Sequence, residues 1–112
     1  MAKTYAETYG DPLFLTNAEC LLLCLEKNGH IGFEKGVWQD VWQRETYLAF
    51  PERFGHLDPN KLHGPLYRPI QHLRDGDKKD PLGRLRHEYG VRVHPDKSET
   101  EEFVYYLDPP KE

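Results

Sequence analysis

The chain has 112 residues, of which 38% are hydrophobic and 30% charged, and a formal net charge of −4. Its length bounds it to one domain with a modest core, its aromatic and apolar content excludes a disordered polar chain, and no stretch approaches the roughly 18 apolar residues of a membrane span. The opening MAKTYAETYGDP lacks the apolar run of a secretory leader, so a cytoplasmic location is expected.

Thr16-Asn17-Ala18-Glu19 fits a capping box, with Leu15 and Cys20 placed to form the hydrophobic staple. A helix is predicted from here to about Lys27, where Asn28-Gly29 stops it. At 100° per residue Ala18, Leu21, Leu22 and Leu25 share one face and Cys20, Leu23 and Cys24 the other, so the helix needs cover on both sides. Two further helices and a sheet are the expected cover, with a dimer interface as the alternative. Cys20 and Cys24 read as small buried hydrophobes, since their spacing completes no common metal or redox site.

His30 to Phe33 reads as a short extended segment. A second helix follows with Val37, Trp38, Val41, Trp42, Leu48 and Ala49 as its core stripe. FPERFGHLDPN, Phe50 to Asn60, is loop-like. Leu66, Ile70 and Leu73 mark the buried side of the next helix, which opens at Gly64-Pro65 or, because of Pro69, only near Arg68. Asp75-Gly76-Asp77 breaks it. Asp80-Pro81 predicts a short helix to about Glu88, with Leu82, Leu85 and Tyr89 inward. Tyr89 to His94 alternates as a strand, residues 95 to 101 form a polar tip, and Phe103, Tyr105 and Leu107 mark a final strand. Val104 and Tyr106 then point the other way, exposed unless another chain covers them.

The charge is uneven. Residues 1 to 60 carry five Lys or Arg against nine Asp or Glu, residues 61 to 97 nine against five, and residues 98 to 112 one against five. A basic middle segment in an acidic chain points to a nucleic-acid face.

Helix, short strand, helix, helix, strand, tip, strand is the order of a winged helix-turn-helix domain, and particular stretches resemble that superfamily. LTNAECLLLCLEKNGHIGF resembles its first helix and strand; IQHLR, GVRV and EEFVYYL resemble a recognition helix followed by two wing strands. The chain is similar in this to response-regulator effector domains and to small phage or bacterial winged-helix proteins, where an LR pair on the recognition helix and an aromatic final strand recur. The resemblance implies an α+β fold of three or four helices with a C-terminal β-hairpin wing. It implies a division into an N-terminal arm at 1–14, a winged-helix domain at 15–108 and a tail at 109–112. It also implies binding of double-stranded DNA without a cofactor, as a transcriptional regulator or DNA-targeting accessory factor. The longer connection at 49–65 and the insertion at 75–83 depart from the pattern. They leave open whether 65–74 or 80–88 is the groove-facing helix.

On that reading Arg68, Gln71, His72 and Arg74 are candidates for base edges, and Lys61, Lys78, Lys79, Arg84, Arg86, Arg92 and Lys97 for phosphates. Glu99, Glu101 and Glu102 argue against deep insertion of the wing, and the net charge suggests that a homodimer or a protein partner adds affinity. The alternative is a winged-helix protein-interaction module. The histidines at 30, 56, 63, 72, 87 and 94 have no metal-ligand spacing, no phosphate loop or nucleophile motif is present, and neither metal nor enzymatic activity is expected.

Overall fold

The computed structural model describes residues 4–10, 15–76 and 80–110. Among these residues five α-helices, α1 (Tyr5–Tyr9), α2 (Asn17–Lys27), α3 (Gln39–Ala49), α4 (Pro51–Phe54) and α5 (His63–Asp75), and a 3-10 turn at Phe33–Lys35 pack with three strands, β1 (Val37–Trp38), β2 (Leu85–Val93) and β3 (Glu99–Leu107). The class is α+β. The strands form an antiparallel sheet in the order β1-β3-β2, so the last strand is the central one.

The start of α2 follows its sequence signals closely. The Thr16 hydroxyl accepts the Glu19 N–H at 3.2 Å and the Glu19 carboxylate accepts the Thr16 N–H at 3.1 Å, while Leu15 and Cys20 join one apolar cluster. Its end is a Schellman turn: His30 N–H donates to the Leu25 carbonyl and Gly29 N–H to that of Glu26, with Gly29 at φ 74°. The helix is covered by α1, α3, α5 and β3, as its two apolar faces require. Both cysteines are buried free thiols, and burial pushes the Cys24 thiol up to about 11.

The second predicted helix is corrected at its start, where Val37 and Trp38 form β1; it runs through Leu48 and Ala49 as predicted, but Leu48 is exposed and lies outside the core stripe. Trp42 is the core indole: its Nε1 donates to the Leu21 carbonyl at 2.9 Å and its ring centre lies 5.0 Å from that of Tyr105. Pro51 at N1 opens a single turn of helix where a loop is predicted. Helix α5 starts at His63, so Pro69 sits inside it. The bond Pro69 cannot donate would have gone to the carbonyl of Pro65. Leu66, Ile70 and Leu73 are its buried face, and Gly76 ends it in the left-handed conformation.

Residues 80–88 do not form a helix. Asp80 does take backbone N–H groups, from Leu82 at 3.1 Å and Leu85 at 2.6 Å, but Gly83 turns the chain at φ 64° and β2 begins at Leu85. Tyr89 therefore lies exposed on a strand. Strand β3 begins at Glu99, so the hairpin tip is shorter than predicted; it is closed by His94 N–H donating to the Ser98 carbonyl and Lys97 N–H to that of His94.

Phe103, Tyr105 and Leu107 face the helices as predicted. Val104 on the other face is buried by this chain itself, against Gly36 and Trp38. A β-carbon on Gly36 would lie 2.2 Å from Val104 Cγ1, so only glycine lets that segment cross the sheet here. Tyr106, meeting Phe33 edge-on, is half-buried.

Candidate nucleic-acid interface

The apolar stripe of α5 sets what the rest of that helix can reach. With Leu66, Ile70 and Leu73 inward, Arg68 projects away from the core and is exposed, and Gln71 and His72 flank it half-buried. Between this face and the start of α2 runs a groove of about 550 Å³. Arg53, Arg68 and His72 line it together with Thr16 and Asn17. Arg53 is held in place by Asn17, whose Oδ1 accepts from its Nε at 2.8 Å. Two guanidiniums and the positive end of α2 thus meet on one surface, an arrangement suited to an anionic backbone.

Arg53 is absent from the residues singled out from the sequence. It sits in FPERFGH, and the signal that could have found it is Pro51 at a helix N1 position followed by Glu52.

Other candidates are dispersed. Arg74 turns toward the sheet, where its guanidinium lies 4.9 Å from the centre of the Phe103 ring and donates to the Tyr105 hydroxyl at 3.2 Å and to Asp75 at 3.3 Å. Burial works against its charge, but these partners hold its pKa above the usual arginine range.

Arg84 is corrected to a structural residue. It is 2% exposed, its Nη1 donates to Glu26 at 2.8 Å and its Nε to the Asp108 carbonyl at 2.8 Å, and it lies over the Tyr5 ring. A phosphate cannot reach it. This cluster also docks α1, because the Glu26 carboxylate accepts the Tyr5 N–H and the Tyr5 hydroxyl donates to Asp80 at 2.5 Å. Residues 5–9 are therefore packed on the domain.

Arg86 and Arg92 lie on the sheet face turned from the helices. Arg86 pairs with Asp108 at 2.9 Å; Arg92 pairs with Asp40 at 2.6 Å and Glu102 at 3.5 Å and covers Trp38. Lys61 is exposed just before α5 and Lys97 at the hairpin tip. Lys78 and Lys79 lie outside the described residues.

No protein-family model matches the chain. No curated protein and no solved structure matches it either. Among the described residues no group of three or more His, Cys, Asp or Glu gathers as a metal site would require, and no helix is long and apolar enough to cross a membrane.

Proposed function

We propose that the chain is a cytoplasmic winged-helix protein that binds double-stranded DNA, with α5 as the groove-facing helix and the β2–β3 hairpin as the wing. The observation that carries this reading is the meeting of Arg53 and Arg68 in one groove beside the outward face of α5. A major groove admits a helix of this kind; Arg68 and Gln71 then reach base edges, while Arg53, Lys61 and the tip Lys97 neutralise phosphates. The segment 80–88, being loop and strand, leaves α5 as the helix of choice. Transcriptional regulation or the targeting of another factor to DNA are the roles that such binding serves. The acidic remainder of the chain leaves room for a dimer or a partner that adds affinity.

The test is fluorescence anisotropy of a randomised duplex pool titrated with the protein at several salt concentrations, followed by selection of a preferred site. Affinity is expected to fall steeply with salt, Arg53→Ala to lower the salt slope by about one, and Arg68→Ala to cost about 1–3 kcal/mol of discrimination at one position of the selected site. Absence of binding at low salt, or binding that both substitutions leave unchanged, overturns the proposal.

A further inference from the structure

A second cleft, of about 300 Å³, lies between the start of α3 and β3, lined by Gln39, Asp40, Gln43, His63, Glu102 and Phe103. It takes no part in the DNA reading. Gln43 is 4% exposed, yet its Nε2 is buried with no hydrogen-bond partner among the described residues. A buried amide N–H without an acceptor is unfavourable, and a donor kept in that state points to an acceptor that arrives from outside.

The sheet supplies an independent observation. Strand β1 is two residues long and pairs with β3 only at Val104 and Tyr105; from Phe103 to Glu99 the only strand partner of β3 among the described residues is β2, on the opposite edge. A strand edge of this kind offers backbone N–H and C=O groups to an added strand. The charge fits as well. Asp40 and Glu102 line the cleft and are bridged by Arg92, the Arg74 guanidinium lies over the Phe103 ring, and Glu99 and Glu101 continue along β3, so the carboxylates outnumber the guanidiniums four to two. Phosphates are repelled by this wall, whereas lysine or arginine side chains are attracted to it.

We propose that the cleft docks an extended, lysine- or arginine-bearing segment of a partner protein, which adds to β3 as a strand and presents a main-chain carbonyl to Gln43 Nε2. The Phe103 ring forms the apolar wall against which the segment lies, and the carboxylates select its charge.

The experiment follows backbone and side-chain amide resonances of the full chain during titration with the peptide acetyl-Thr-Lys-Val-Lys-Thr-amide, its counterpart with Glu in place of Lys, and a version N-methylated on alternate backbone nitrogens. Saturable shifts of the Gln43 side-chain amide and of the Glu101 and Phe103 amides are expected with the lysine peptide alone. Gln43→Met keeps the volume and removes the unpartnered donor, so its melting temperature should be equal or higher while binding weakens at least about tenfold. No saturable shift, equal binding of the N-methylated peptide, or full binding by Gln43→Met overturns the proposal. Duplex DNA shifting the same amides in place of the peptide also overturns it. Arg68→Ala should leave peptide binding unchanged, which separates this site's failure from that of the DNA reading.

Discussion

Arg84 and Arg68 are both arginines of the basic segment, and their surroundings give them opposite work. Arg84 has Glu26 and the Asp108 carbonyl as partners at 2.8 Å each, and a guanidinium so enclosed holds elements together instead of meeting a ligand. Arg84→Met leaves the half-buried Glu26 carboxylate without its cation and should cost about 3 kcal/mol, while the folded variant binds DNA as the parent does. Denaturant melts paired with anisotropy check both halves of that expectation. The sequence hides this difference, because Glu26 lies 58 positions from Arg84 and alternation along the chain carries no sign of so distant a partner. The capping box at Thr16 and Glu19 was legible for the converse reason: both partners sit within one helical turn.

At the level of elements, local chemistry decides the structure where it acts alone and yields where tertiary pairing overrides it. The spacing of Leu82, Leu85 and Tyr89 after Asp80-Pro81 is that of a helix, and Asp80 does cap N–H groups, yet the backbone from Leu85 onward bonds to β3. Gln43 was likewise invisible, since nothing in DVWQRE marks a glutamine on the inner face of α3. The hairpin tip shows a compromise of another kind. Lys97 has φ 70°, the left-handed conformation that costs a residue with a β-carbon about 1 kcal/mol, and a glycine there suits a tight hairpin. Lys97→Gly is therefore expected to raise stability by about 0.5–1 kcal/mol in thermal or urea unfolding. The same change should weaken DNA binding uniformly across sequences on the proposed wing reading.

Across the whole molecule the charges are sorted by surface. Arg53 and Arg68 share the groove beside α5, and Asp40 and Glu102 share the cleft beside β3. A chain that is acidic overall thus gathers two guanidiniums on one surface; the segment-by-segment count points to Arg68 but not to Arg53, which lies in the acidic first sixty residues. The sheet order has a different kind of consequence, one of time. Because β3 is both the last strand and the central one, β1 and β2 have no neighbour, and Trp42 lacks the Tyr105 ring, until that strand is present. A chain growing from its first residue can coil α2, α3 and α5 early but holds their apolar faces open until Leu107 has emerged. Truncation after Ser98 is expected to abolish cooperative melting even though every helix is retained, a result that circular dichroism in the near and far ultraviolet distinguishes. Refolding of the full chain should be slower than that of a helical bundle of similar size, since its decisive pairings join distant parts of the chain. Premature exposure of that unfinished core is the hazard that a nascent molecule of this design carries.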